Sequence, residues 1–319
     1  MIPAGHDRDF DRYRNGVVTT LQIVGAWLVP FPDRTILVAP DRTPLWTTPA
    51  SMAPESAASR ATARRYFERL IDTRALPTAF IDALVDYASR RAVSTMVDRQ
   101  YLAVYLGRTQ ARYFGGFVPR DLRLQIPVEG GAGRMLQMLF TMERWVGRPV
   151  FDAILSEFVT SFADRRPTYD DFMAVASRVS GQDLSWLDEA LRTSRRVDYA
   201  VDSFDSVPEG GGFRTTVTVR RLDIAKVPHQ IPVVTTFADG ETVREMFDGR
   251  LRQMTYEYRS PARAVTAEVD PEHVLVLDQN RSNNGMSLDQ AAATTAGNRW
   301  AARWMIWLED ALLTYVALT

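Results

Sequence analysis

The chain has 319 residues, a hydrophobic fraction of 46%, a formal net charge of −1 at pH 7 and no cysteine. This composition predicts about two globular domains and does not favour a nucleic-acid partner or an anionic membrane surface. The missing cysteine excludes disulfides, thiolate zinc sites and cysteine nucleophiles.

The chain opens on a polar segment, MIPAGHDRDFDRYRNG, in which no signal peptide is visible. No apolar run in the sequence approaches the roughly 18 residues that span a bilayer. We therefore expect no transmembrane segment. We also expect a cytoplasmic protein, unless a longer chain carries an export signal ahead of Met1.

From about residue 56 to 193 the pattern is helical. Residues 18–38 predict an apolar helix, a turn and a short strand, and a Pro-rich loop follows over 40–56. Thr168, with Asp171 three residues on, predicts the start of a later helix, and Gly181 predicts its end. Further helices are predicted near 56–72, 78–98, 100–113 and after the turn EGGAGR.

The apolar period changes near residue 200. FRTTVTVRR, at 213–221, alternates as a strand does. The pairs Asp239-Gly240 and Asp248-Gly249 predict tight hairpin turns. With the strand-like runs RAVTAEVD and HVLVLD, these features predict a small antiparallel β-sandwich over 196–283.

The last segment, 284–319, predicts a long amphipathic C-terminal helix with an aromatic stripe that includes Trp300, Trp304 and Trp307. Its other face is charged and carries no basic excess, so packing against the chain's own domains is favoured over a membrane. Docking of this stripe to a partner stays open as the alternative.

No independent catalytic motif is visible in the sequence. The histidines lie outside the predicted helices, His6 in the polar N-terminus, His229 in a loop and His273 in the DPEHV turn, so the sequence predicts no local metal site at any of them. There is no nucleophile elbow, phosphate-binding loop or dinucleotide-binding fingerprint. EGGAGRM is favoured as a plain turn over an anion cradle, and LDQNRSNNG lacks the spaced carboxylates of a calcium loop.

Several motifs in fixed order resemble those of M1-family zinc aminopeptidases. T-x-x-D-F occurs at Thr168, Asp171 and Phe172, and G-x-D-L-x-W occurs at 181–186. IPVVTTFADGETVREMFDG, VDPEHVLVLDQNRSNN and the tail resemble the β-domain and the end of bacterial members. The resemblance implies an α+β fold, with a mainly helical thermolysin-like (gluzincin) domain over 1–195 ahead of the β-sandwich.

The resemblance also implies where a zinc site would lie. The family holds zinc with the two His of HExxH and a Glu from a following helix. IDALVDYASRR resembles that second helix, with Asp82 at the Glu position and Tyr87 at the family's Tyr. HExxH then falls on Ser59-Arg60-Ala61-Thr62-Ala63, with Ser59 and Ala63 at the His positions and Arg60 at the catalytic Glu.

These vestigial positions leave no zinc-binding set. Ser59 and Ala63 cannot replace imidazole ligands, and the cationic Arg60 would repel Zn²⁺. The substrate-amine motif G-x-M-E-N is missing, and no tyrosine occupies 114–168, where the family's transition-state Tyr would lie. We therefore predict an M1-like pseudoenzyme without zinc or another cofactor, in which Arg60 pairs with Asp82. Its role would be binding or assembly with an unidentified protein or peptide.

Two alternatives stay open. An active zinc metallopeptidase, or a fragment of one acting on peptides, would take its ligands from elsewhere or across an oligomer. A structural subunit of a membrane complex would dock through the tryptophans of the tail. The family's N-terminal β-domain is missing from this sequence, which is what a fragment or a late start codon would produce.

Overall fold

The computed structural model describes residues 9–33, 53–96, 131–192 and 196–288. Within these residues the chain forms seven α-helices followed by seven β-strands in two antiparallel sheets, which is an α+β arrangement. The described residues belong to two compact units, one made of 9–33, 53–96 and 131–185, the other of 186–192 and 196–288. The helix predicted at 100–113, the strand predicted near residue 36 and the tryptophan-rich tail lie outside the described residues.

Six helices make up the first unit: α1 (Phe10–Trp27), α2 (Ala53–Leu70), α3 (Thr78–Met96), α4 (Gly131–Val146), α5 (Arg148–Ser161) and α6 (Tyr169–Ser180). Helices α2 and α3 confirm the helices predicted near 56–72 and 78–98. Within the described residues, no helix is long and apolar enough to cross a membrane.

Helix α1 begins eight residues before the apolar run predicted at 18–38. Its first turns are polar, and they are held by α2 rather than by burial of apolar side chains. The guanidinium of Arg12 donates two hydrogen bonds of 2.7 Å to the carboxylate of Glu55. Such a bidentate, charge-assisted pair is among the stronger polar contacts in proteins, so it extends the helix towards its N-terminus.

Helix α6 has both of its predicted ends. The Thr168 hydroxyl accepts a bond from the Asp171 amide at 3.2 Å, and the Asp171 carboxylate accepts one from the Thr168 amide at 2.7 Å. The hydrogen bonds that the Thr168 amide and hydroxyl donate to the Asp171 carboxylate lower the pKa of this carboxyl group. Gly181 ends the helix in the left-handed conformation, at φ 67°. The capping box and the glycine stop are therefore confirmed.

The core of the first unit is rich in aromatic rings. Phe80 of α3, Phe158 of α5 and Phe172 of α6 are all fully buried. The ring centroid of Phe172 lies 4.8 Å from that of Phe80 and 5.4 Å from that of Phe158. Burial of each such side chain contributes roughly 1.5–3 kcal/mol, so this triad holds three helices together.

The second unit contains α7 (Ser185–Arg192) and the strands β1 (Tyr199–Glu209), β2 (Gly212–Arg221), β3 (Gln230–Phe237), β4 (Thr242–Asp248), β5 (Gln253–Ser260), β6 (Ala264–Val269) and β7 (Gly285–Ser287). One sheet has the order β1-β2-β5, and the other has the order β4-β3-β6-β7. Strand β2 confirms the strand predicted from its alternating sequence.

Side chains of the two sheets contact each other. The ring of Tyr199 in β1 lies edge-on to Phe247 in β4, with centroids 5.9 Å apart. The Ser206 hydroxyl of β1 accepts a 3.1 Å bond from the Ala264 amide of β6. The second unit therefore builds its core from both sheets.

One of the two Asp-Gly turns differs from the prediction. The pair at 239–240 joins β3 to β4 in an antiparallel hairpin, as expected. The pair Asp248-Gly249 instead carries the chain from β4 in one sheet to β5 in the other. Close approach explains the glycine, because a Cβ at Gly249 would lie 2.5 Å from the Val227 carbonyl oxygen and 3.0 Å from the Tyr199 hydroxyl.

The strand predicted for HVLVLD is also wrong. This run forms turns that end in a single parallel bridge between Val197 and Asp278. Asp270 and His273, with φ values of 52° and 53°, bend the chain. The Asp270 carboxylate accepts the two amides after His273, each at 2.9 Å, so these donors are not free to join a ladder. Gly285–Ser287 pairs with β6 in place of the predicted strand.

We expect Gly249→Ala to lower the free energy of unfolding of the second unit by more than about 2 kcal/mol, because a backbone carbonyl must move to make room. Gly285→Ala is the matched control, since its new Cβ would lie 3.6 Å from the nearest atom. That change should stay within about 0.5 kcal/mol of the wild type. Denaturant unfolding measures both variants, and equal midpoints would contradict the assignment of Gly249 as a close-approach position.

Candidate functional site

Helices α2 and α3 face each other through four charged side chains. Helix α2 presents Arg60 and Arg64, which are one turn apart, and α3 presents Asp82 and Asp86, also one turn apart. Residues at i and i+4 share a helix face, so each helix offers two like charges to two opposite charges on its neighbour. We call these four residues the Arg–Asp cluster.

The contacts of the Arg–Asp cluster are staggered. Arg60 forms an ion pair with Asp86 through Nη1, and its Nη2 lies 3.8 Å from Oδ1 of Asp82. Arg64 donates from Nη2 to the same Asp82 oxygen at 2.6 Å. Asp82 therefore lies between two guanidinium groups, and the cluster as a whole has no net charge.

Burial divides the Arg–Asp cluster into an inner and an outer pair. The side chains of Asp86 and Arg60 are 8% and 18% exposed, whereas those of Asp82 and Arg64 are 28% and 32% exposed. Solvent screens the outer pair, which reduces its contribution to stability. The inner pair is shielded from water, so the loss of either partner leaves a largely buried charge behind.

Ser59 and Ala63, the positions that the family spacing assigns to the zinc-binding histidines, are fully buried. The Ser59 hydroxyl lies 3.5 Å from the carbonyl oxygen of Gly16 in α1, and Ala63 shares its helix face. The structure thus turns these two positions towards α1. It brings Arg60 and Arg64 to Asp82 instead.

The predicted contact between Arg60 and Asp82 is present, but each residue has a closer partner. Asp86 binds Arg60, and Arg64 binds Asp82. The family spacing did not identify Arg64 or Asp86. A usable signal was in the sequence, since two arginines at i, i+4 spacing on one predicted helix are followed by two aspartates at the same spacing on the next.

Tyr87, next to the Arg–Asp cluster, lies in a separate set of contacts. Its ring is edge-on to Phe151 with centroids 5.2 Å apart, and its hydroxyl accepts a 3.3 Å bond from Arg91. The Arg91 guanidinium lies over the ring of Trp27 and pairs with Asp152. Burial raises the pKa of the Tyr87 phenol, which therefore stays protonated. Tyr87 connects α3 to α1 and α5.

The residues at the vestigial positions do not fit a zinc ion. Ser59 offers a hydroxyl, Ala63 offers a methyl group, and Asp82 is occupied by guanidinium groups. Zinc sites in proteins require imidazole, thiolate or several carboxylate ligands. Within the described residues, no three His, Asp or Glu side chains are placed to hold a metal together.

The other sequence candidates lie elsewhere. His229, in the second unit, packs against Trp186 with ring centroids 6.5 Å apart. His273 follows the turn that begins at Asp270. The turn predicted for EGGAGRM is wrong for residues 131–135, which form the start of α4. LDQNRSNNG contains the buried carboxylate of Asp278. His6 lies outside the described residues.

Comparisons with known proteins support the fold alone. No family model matches the chain, and no curated protein matches it. Among solved structures, the chain is similar to aminopeptidase A of Legionella pneumophila, whose structure was solved in complex with aspartic acid. The TM-score is 0.54 at 10% sequence identity, and the match covers 86% of this chain but 35% of that chain. The similarity shows a peptidase-like fold in this protein.

We expect Asp86→Ala to cost more stability than Asp82→Ala. Removing Asp86 leaves the Arg60 charge in a poorly hydrated site, so a loss of about 2–3 kcal/mol is expected, whereas the screened Asp82 should cost about 1 kcal/mol. Glu68→Ala is the control, because Glu68 forms an exposed ion pair with Arg65 on the same helix. Its effect on denaturant unfolding should be close to zero. A larger loss for Asp82→Ala than for Asp86→Ala would reverse the assignment of inner and outer pairs.

Proposed function

We propose that the chain is a catalytically inactive relative of the M1 zinc aminopeptidases, with a role in binding or assembly with a protein or peptide partner. In this proposal the helices α1 to α7 lie in a thermolysin-like domain over 1–195, and the strands β1 to β6 lie in a β-sandwich over 196–283, which β7 extends by a few residues. The terminal helix predicted for 284–319 is wrong at its start, because Gly285–Ser287 form β7, and residues 289–319 lie outside the described residues. The peptidase-like fold and the ordered motifs from Thr168 onward support this ancestry.

The Arg–Asp cluster is the observation that carries the proposal. An M1-type zinc ion lies between two side chains at i and i+4 of one helix and an acid of the next helix. On the facing surfaces of α2 and α3, those side chains are Arg60 and Arg64, opposite Asp82. We therefore propose that the His positions fall on Arg60 and Arg64, one residue later than the count back from Asp82 gave, and that Ala61 rather than Arg60 takes the position of the catalytic Glu.

Charge balance gives this replacement a physical basis. A zinc ion brings two positive charges to the junction of these helices, and two guanidinium groups bring the same total. The acids of α3 therefore keep a counter-charge, while the Lewis acid and its bound water are lost. Arginine stays protonated in proteins, so neither Arg60 nor Arg64 can act as the general base that the family's Glu provides.

One alternative is an active zinc metallopeptidase with ligands outside the described residues, and docking of the tryptophan-rich tail to a membrane complex stays open beside it. The similarity to an aminopeptidase is the observation that favours the metallopeptidase. Metal content separates the metallopeptidase from the pseudoenzyme before any substrate is known.

We expect the purified, untagged protein to bind almost no zinc after dialysis against micromolar zinc. The double variant Arg60→His and Arg64→His should bind about one zinc per chain, because it offers two imidazoles at i, i+4 opposite two carboxylates. The control is Arg65→His with Arg69→His, which has the same spacing on α2 but exposed side chains on another face. Elemental mass spectrometry measures all three proteins.

Stoichiometric zinc in the wild-type protein would overturn the pseudoenzyme proposal, and an aminopeptidase assay would then follow. No more zinc in the double variant than in its control would show that this face of α2 does not correspond to the zinc-binding face of the family.

A further inference from the structure

Asp278 lies in the second unit, in a segment of buried turns that we call the strap, residues 275–284. The strap runs beside the start of β1. Asp278 forms a parallel bridge with Val197, and the Gln279 amide donates to the Val197 carbonyl at 3.0 Å. The amide of Tyr199, the first residue of β1, donates to the Asp278 carboxylate at 3.2 Å. The side chain of Asp278 therefore fastens the strap to this strand.

Every hydrogen-bond donor on this carboxylate is neutral. Besides Tyr199, the Asn280 amide donates to Oδ1 at 3.0 Å, and the Asn284 side-chain amide donates to Oδ2 at 3.2 Å. Asp278 is 3% exposed and forms no ion pair with any residue that the structure describes. A buried carboxylate without a cationic partner pays a large desolvation cost when it ionises.

The charged and titratable groups around Asp278 do not remove this cost. Asp198, at the start of β1, adds a negative charge nearby and is itself bound by the side chain of Asn283 at 2.9 Å. The Tyr199 phenol stays protonated, because burial raises its pKa. Arg196 donates to the Gln279 side chain at 3.1 Å rather than to Asp278, and Arg281 lies in the strap itself.

The surroundings can accept a hydrogen bond from the protonated carboxyl group of Asp278. The side-chain oxygens of Asn283 and Asn284 are buried, and no described residue donates a hydrogen bond to them. A half-turn of the Asn284 amide would exchange its nitrogen and oxygen, and the oxygen would then lie close to Oδ2 of Asp278. There it could accept a bond from a protonated carboxyl group.

We propose that Asp278 is a buried protonation switch, which fastens the strap to β1 when it is neutral and loosens the strap when it ionises. Burial, and then the charge of Asp198, raise the pKa of Asp278 to about 7 from an ordinary value of 3.8, although the three donors oppose this rise. Protonation of Asp278 therefore makes its full contribution to the free energy of unfolding below pH 3.8, the ordinary pKa that applies in the unfolded chain. That contribution declines as the pH rises and is lost above about pH 7.

This switch is independent of the pseudoenzyme proposal, and hydrogen exchange tests it. The readout is the protection factor of the Tyr199 and Asn280 amides, measured at about pH 5.5 and about pH 8.5. The protection factor is used because it divides out the intrinsic pH dependence of amide exchange. We expect protection to fall at least about tenfold over this range in the wild-type protein. Asp278→Asn should abolish the fall. Asp205→Asn, at an exposed position of β1, should retain it.

A second variant keeps the test decisive if Asp278→Asn does not fold. Asp198→Asn removes the neighbouring negative charge, so Asp278 should ionise more readily, and the midpoint of the fall should move to lower pH. Equal protection at both pH values in the wild type would overturn the proposal. A fall that persists in Asp278→Asn, or a midpoint that Asp198→Asn leaves unchanged, would also overturn it.

Discussion

The packing of α2 against α3 centres on the ion pair between Arg60 and Asp86. Placing a guanidinium and a carboxylate between two helices removes both from water, and only good mutual geometry offsets that cost. With Arg64 and Asp82 one turn away, the contact also fixes the register, because a slip of one turn would leave one charge on each helix without its partner. The opposite face of α2 is covered by α1, where Gly16 allows the two backbones to approach closely.

Occupation of this junction by the protein's own side chains limits what it can bind. Both carboxylates already accept from guanidinium groups, so a ligand amine would have to displace an arginine. Arg64 is the more exposed of the two and has the more exposed partner, Asp82, which makes the outer edge of the cluster the place where such competition is least costly. We therefore expect a partner that recognises the helical unit to bind surfaces outside the Arg–Asp cluster.

Local chemistry in the sequence predicted local structure well. The helix over 169–180 has its own cap and stop residues, and the strand over 212–221 has its own alternation. The facing surfaces of α2 and α3 could not be predicted in the same way, because the count back from Asp82 crosses the turn at 71–77 and does not determine which side of α2 faces α3. Similarly, an Asp-Gly pair has the same sequence in a hairpin and in a crossover between sheets. Only the distant carbonyl that lies against Gly249 distinguishes the two.

The strap has a consequence for the order in which the second unit is made. The residue Val197, just before its first strand, is held by Asp278, about eighty residues later in the chain. Strand β5 completes the sheet of β1 and β2, but it follows β3 and β4 of the other sheet in the chain. Contacts of such long sequence separation form late and slowly. A nascent chain that has left the ribosome only as far as β4 therefore exposes an incomplete edge on β2, and the unit closes when the strap itself has emerged.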